Sequence, residues 1–202
     1  MAADGSPARG RRPPRETRDA ARVRRGAVAD PEAVLAAAAR LLESRPRSIA
    51  EVRRHLVFAG YRPDLVEDAV AGLVRLGYLD DTSFAASWIA SRDRAHPRGE
   101  RALRSELLRK GVSRDVVDEA IGERDAGGDR GDGAPGDDPD VAVDADDRAA
   151  AALLARRRSS LDRVADPRVR RQRAYALLAR SGFDPDTASR ASDRFTRGLE
   201  SD

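Results

Sequence analysis

Residues 73–112 read LVRLGYLDDTSFAASWIASRDRAHPRGERALRSELLRKGV, and the alternation of helical stretches with stop signals inside them decides the fold. Leu73, Val74 and Leu76 form the tail of a helix. Gly77 closes it, glycine being the residue that best tolerates the left-handed conformation at a helix end. Tyr78 and Leu79 follow as an apolar pair. Asp80 or Asp81 can then accept hydrogen bonds from the free N–H groups of a new helix. In that helix Phe84 and Trp88 lie four apart, with Ala85 and Ile89 beside them, so the bulky groups share one face. His96-Pro97 breaks the pattern. A further helix starts near Arg98 and runs to Lys110, with Leu103 and Leu107 inward, until Gly111 stops it.

Working outward, the same grammar recurs. Asp30-Pro31 is a helix start, with Asp as cap and Pro at the first position, where its missing N–H costs nothing. Val34, Leu35, Ala38, Leu41 and Leu42 keep three-and-four spacing up to Arg45-Pro46. Ser48-Ile49-Ala50-Glu51 is a capping box, opening a helix that turns Val52 and Leu56 inward and ends at Gly60. Pro63-Asp64 begins the next, which carries the best apolar stripe in the chain, from Leu65 to Val74. Aligning Gly60, Gly111 and Gly182 exposes an internal repeat. Each has a leucine four residues earlier (Leu56, Leu107, Leu178), an apolar residue just after (Tyr61, Val112, Phe183) and an alanine nine later (Ala69, Ala120, Ala191). The second spacing exceeds the first by the length of a Gly, Asp and Pro stretch at 124–143, and removing that stretch restores the period. The expected organisation is all-α. A disordered basic tail (1–29) precedes three-helix repeats at 30–79 and 80–123, a disordered acidic linker (124–143) and a third repeat at 144–200. Such units cannot bury their apolar faces alone, so they should stack into an elongated, curved body.

Composition narrows the function. Charged residues are 36% and aromatics 4% of the 202 residues, which argues against nucleic-acid binding through exposed stacking rings. Of the 38 basic residues only Lys110 is lysine. A genome rich in G and C accounts for that abundance, so position rather than number must carry any binding argument. The tail holds eight arginines against three acids, and residues 148–180 hold ten against two. The first two repeats are close to neutral. No cysteine is present, which fits a reducing compartment. No signal peptide or membrane-length apolar run is visible, so a cytoplasmic protein is expected. Catalytic triads, metal-ligand spacings and nucleotide-binding glycine signatures are absent. His55 and His96 stand alone. The glycines at 127–133 lack the strand and lysine of a phosphate loop, and Asp129 to Gly133 lacks the ligand pattern of a calcium loop. No catalytic residue, metal site, cofactor or small-molecule substrate is expected.

The central block resembles the RecX family, bacterial proteins that regulate the RecA recombinase. The matching residues are Gly77-Tyr78-Leu79-Asp80-Asp81, Phe84-Ala85, Trp88, Arg92, Arg94, Gly99, Leu103, Glu106-Leu107 and Lys110-Gly111-Val112. Most of them read as structural. The resemblance implies a stack of three-helix repeats, in agreement with the glycine alignment. It also implies a non-enzymatic regulator in DNA repair, recombination and the SOS response. Such a protein associates with RecA filaments on single-stranded DNA and modulates, mostly inhibits, recombinase and coprotease activity. The acidic linker departs from the family pattern, in which the second and third units are joined more tightly. Candidates for the partner-facing surface are Arg101, Arg104, Arg109 and Lys110 in the second repeat, with Arg156, Arg158, Arg170, Arg171 and Arg173 in the third. The alternative is a stand-alone helical module whose arginines contact DNA phosphates.

Overall fold

The computed structural model describes residues 17–127 and 144–198, and it is helical throughout, with no strand among the described residues. A short helix α1 (Arg18–Gly26) comes first. Then follow α2 (Pro31–Ser44), α3 (Ile49–Ala59) and α4 (Pro63–Arg75), packed on a core that includes Val34, Leu56, Val66 and Leu79. Helices α5 (Asp81–Ala95), α6 (Glu100–Lys110) and α7 (Arg114–Gly127) enclose a second core around Phe84, Leu103, Leu107 and Ile121. Helices α8 (Ala145–Leu161), α9 (Pro167–Arg180) and α10 (Pro185–Gly198) enclose a third around Leu154, Leu178 and Phe183.

The helix ends follow the sequence signals. Asp30, Asp80 and Asp166 accept hydrogen bonds from the N–H groups two or three residues on, and Ser48 with Glu51 completes its capping box. Gly60, Gly111 and Gly182 have φ of 103°, 88° and 87°, so all three aligned glycines are left-handed. The aligned leucines Leu56, Leu107 and Leu178 are buried, as are Ala69, Ala120 and Ala191. The middle helix of each repeat therefore ends in the same way, with its last inward leucine one turn before the corner.

That corner makes the joint between repeats. Gly111 sits against the start of α3, where a Cβ on the glycine would collide with the methyl of Ala50. The carbonyl before the glycine, on Lys110, accepts from the Ser48 hydroxyl at 2.6 Å, and the first N–H of α3, on Ile49, donates to Asp81 at 2.9 Å. The next joint repeats the plan. Gly182 meets Ala102 at the start of α6, the Ser181 carbonyl accepts from Gly99 N–H at 3.1 Å, and Glu100 N–H donates to Asp146 at 3.0 Å. Thus a first-turn carboxylate of each later repeat caps the middle helix of the one before. The acidic linker leaves this register unchanged. Burial pushes the Asp81 and Asp146 carboxyls above the ordinary carboxylate range, against the pull of the N–H groups they accept.

Four expectations need correction. The tail through residue 29 was expected to be disordered, yet 18–26 form α1. Thr17 caps it, Asp19 complements its N-terminus, Arg24 and Arg25 complement its C-terminus, and Ala21 is buried. Residues 1–16 lie outside the described residues. The linker was expected to begin at 124, yet α7 continues to Gly127 because buried Arg124 anchors its last turn to Asp93 and Asp146; residues 128–143 lie outside the described ones. Tyr78 does not pair inward with Leu79: Leu79 is buried and Tyr78 is 70% exposed. The third helix of the quoted stretch begins at Glu100, not near Arg98, because buried Gly99 is its N-cap.

Candidate partner-binding surface

The second joint shapes a basic concavity. Where the α5–α6 turn meets α8 and α9, a cleft of about 400 Å³ is lined by His96, Arg98, Arg156, Arg157, Arg180 and Ser181. Pro97 and Leu153 give it an apolar floor, both being buried. Arg156 is held by the end of α5: its guanidinium donates to the Ala95 carbonyl at 2.5 Å and to the Arg94 carbonyl. Those carbonyls carry the negative end of the helix dipole, so the cation satisfies groups the helix leaves open. Arg157 and Arg180 are exposed. Planar guanidinium groups converging on one hollow suit carboxylate or phosphate oxygens.

The nine arginine and lysine candidates divide by what already holds them. Lys110 is engaged inside the molecule: its ammonium pairs with Glu51 at 3.1 Å and lies 3.9 Å from the Trp88 ring centroid. Burial would raise the Glu51 carboxyl, but hydrogen bonds from Arg45 and Lys110 prevail and hold it below its ordinary value. Arg104 bridges Glu100 and Asp118. Arg170 donates to the Val164 carbonyl at 2.9 Å, and Arg171 pairs with Asp193. Arg158 reaches Asp162 at 3.6 Å, with more than half of its side chain in solvent. Arg101, Arg109 and Arg173 are exposed. The charge excess of 148–180 is also partly answered by α10 and the start of α8: residues 144–198 carry thirteen arginines and eight aspartates, a net of +5.

The family-motif residues are structural in their contacts. Asp80 caps α5, and hydrogen bonds from the Ser83 hydroxyl and from the Ser83 and Thr82 N–H groups hold its carboxyl low. Of the two carboxylates that could cap α5, Asp81 instead reaches across the joint to Ile49 N–H. Trp88 is half-buried, with its indole N–H donating to Glu106 at 2.9 Å and the Arg92 guanidinium 4.3 Å from its ring centroid. Phe84 lies beside it, centroid to centroid 6.1 Å. This stack ties α5 to α6 and, through Lys110, to the first repeat.

Sequence reasoning missed Arg98, Arg157 and Arg180 as partners in one cleft, since they converge only when the third repeat docks on the second. Among the described residues no group of three or more His, Cys, Asp or Glu side chains could hold a metal ion, and no helix is long and apolar enough to cross a membrane.

Comparison with known proteins places this geometry. Residues 35–73 match the family described as "RecX, first three-helix domain", and residues 80–121 match "RecX, second three-helix domain". A regulatory protein RecX of Mycolicibacterium vanbaalenii is 32% identical over 170 residues, covering 78% of this chain and 83% of the relative. One from Mycobacterium tuberculosis is 35% identical over 147 residues, covering 71% and 75%. The crystal structure of RecX from Lactobacillus salivarius superimposes with a TM-score of 0.63 at 16% identity, over 85% of this chain and 97% of that one. A second RecX crystal structure gives 0.59 at 18% identity, over 81% and 73%.

Proposed function

The chain belongs to the RecX family, and on that premise we propose that it is a regulatory protein that binds RecA nucleoprotein filaments and lowers their recombinase and coprotease activity. Family membership over the first two repeats is the observation that carries this reading. The architecture supports it. A row of repeats joined in constant register can touch several protomers of a helical polymer, and weak contacts on such a lattice reinforce one another through effective concentration. The contact surface we assign comprises the exposed arginines Arg101, Arg109 and Arg173, with Arg157 and Arg180 at the cleft between the second and third repeats. Lys110 and Arg156 tie one repeat to the next, Arg104, Arg170 and Arg171 are held within their own repeats, and all five contribute charge from fixed positions; Arg158 stands between the two groups.

The test is ATP turnover by RecA on single-stranded DNA with the protein added at increasing dose. Turnover and strand exchange should fall at concentrations too low to coat bare DNA. Tight, steeply salt-dependent binding to naked DNA with both activities untouched would instead favour a module that recognises phosphates by itself.

A further inference from the structure

The joint between repeats occurs a third time, at the first repeat, where α1 takes the place of a neighbouring unit. Gly60 is the corner of the first repeat, equivalent to Gly111 and Gly182, and the Ala59 carbonyl before it is equivalent to those of Lys110 and Ser181. In the two internal joints that carbonyl accepts from the start of a neighbouring middle helix, at Ser48 and at Gly99. Here it accepts from the Arg25 guanidinium of α1 at 3.1 Å. In the internal joints the glycine faces an alanine near a helix start; here it faces the backbone and Cγ of Arg22, so close that a Cβ would clash. The third element of the joint is a first-turn carboxylate that takes the first N–H of the neighbouring helix. Glu32 holds that place in α2, is exposed, and has no partner among the described residues. So α1 fills two of the three positions.

We propose that the Gly60 corner is a docking socket for the N-terminal turn of a helix, with α1 as its resident and displaceable occupant. The structure also defines the partner. It carries a cap residue able to donate to the Ala59 carbonyl, as Ser48 and Gly99 do, a small residue against Gly60, and a free first N–H for Glu32. Alpha-helix α1 meets this only in part, and Ala21 is its one buried side chain. The opposite end of the array lacks the first helical N–H that Glu32 would take: the first residue of α9 is Pro167, and Arg168 and Val169 stand where the inner helices place alanine. A second copy of this chain therefore does not satisfy the socket through its α9, and the occupant is a helix start from another protein.

The full-length chain has no cysteine, so single thiols report directly on α1. Ala21→Cys should react with a thiol reagent more slowly than Val23→Cys, which sits on the exposed side of the same helix. Arg25→Ala should speed Ala21→Cys labelling roughly fivefold, the weight of one net intramolecular hydrogen bond. Equal labelling of the two thiols, or no effect of Arg25→Ala, overturns the seated occupant. The socket itself is read by amide NMR of the full-length variant Ala21→Glu/Arg25→Ala, titrated with a peptide of residues 46–59 as a helix start of the required chemistry. Unchanged Trp88 fluorescence certifies the rest of the fold. The peptide should shift the amides of Glu32, Ala59 and Gly60, and bind the native chain at least about tenfold more weakly, since α1 competes. Binding that spares those three amides, equal binding to both proteins, or no binding overturns the proposal.

Discussion

Replacing Arg124 with leucine should loosen the third repeat from the second by a calculable amount. The Arg124 side chain is 6% exposed and that of Asp146 is 8% exposed. The guanidinium donates twice to Asp93 at 3.0 Å, once to Asp146 at 2.6 Å and once to the Arg98 carbonyl at 3.4 Å. Leucine replaces the hydrocarbon and none of these bonds. Asp93 is 34% exposed and returns to water, so its share is below about 1 kcal/mol. Asp146 has no such outlet and keeps only Glu100 N–H. Removing one partner of a buried ion pair costs about 3–5 kcal/mol, most of it the charge left behind. Adding Asp146→Asn removes that charge and retains an oxygen for Glu100, so the double variant should lie within about 1–2 kcal/mol of the native protein.

The pH dependence has a definite sign. Burial already raises the Asp146 carboxyl, and loss of Arg124 raises it further. A group with a raised folded-state pKa contributes stability in full below its unfolded value and loses it as pH rises through the folded one. The Arg124→Leu deficit should therefore be smaller near pH 4 than near pH 7. Urea titration followed by circular dichroism gives the magnitude, and amide exchange in α8–α10 locates it. A deficit under about 1 kcal/mol, or a double variant no better than the single one, would mean that backbone contacts alone hold the joint.

Trp88→Ala should cost about 2–4 kcal/mol, somewhat less than a fully enclosed aromatic, because the ring is half-buried; a change within about 0.5 kcal/mol would place it among neutral surface sites. Charge reversal at Arg101, Arg109 and Arg173 together should weaken inhibition of RecA ATPase at least about tenfold while the melting temperature stays within a degree or two. Lys110→Ala should do the reverse, lowering stability, because it strips the Glu51 and Trp88 contacts; inhibition lost at unchanged stability would return Lys110 to the contact surface. Asp80 and Glu51 are held below their ordinary values of 3.8 and 4.5, so they stabilise the fold above those values and lose that contribution as pH falls through the lowered ones. Asp80→Asn, which still caps, should flatten the loss of stability between about pH 5 and about pH 3; parallel curves would assign the acid limb to other groups.

Helix ends and repeat spacing were legible because they are local. A cap, a Pro at the first position and a glycine four residues beyond a leucine act over a single turn, and each of these signals reappears in the structure. The partners of Asp81 and Arg124 were not legible. Nothing within a turn of Asp81 names Ile49, which lies 32 residues away, and Arg124 reads as the first residue of a polar linker until Asp146 closes on it. The N-terminal helix was missed for a related reason. Arginine-rich composition resembles a solvated tail, and only the Gly60 corner explains why Arg22 and Arg25 are ordered. Net charge misled most in the third repeat, since a window ending at Arg180 stops short of Asp193, the acid that Arg171 meets.

The seams of this molecule are written largely in main chain: a left-handed glycine, the carbonyl before it and the first amide of a helix. Apart from the buried Arg124–Asp146 pair at the second joint, such a seam is indifferent to most side-chain replacements. Mutational drift can rewrite the faces of every unit while their mutual pose persists, provided a handful of small residues and one acid survive at each crossing. That tolerance accounts for an overlay with a TM-score of 0.63 on the Lactobacillus salivarius structure at 16% identity.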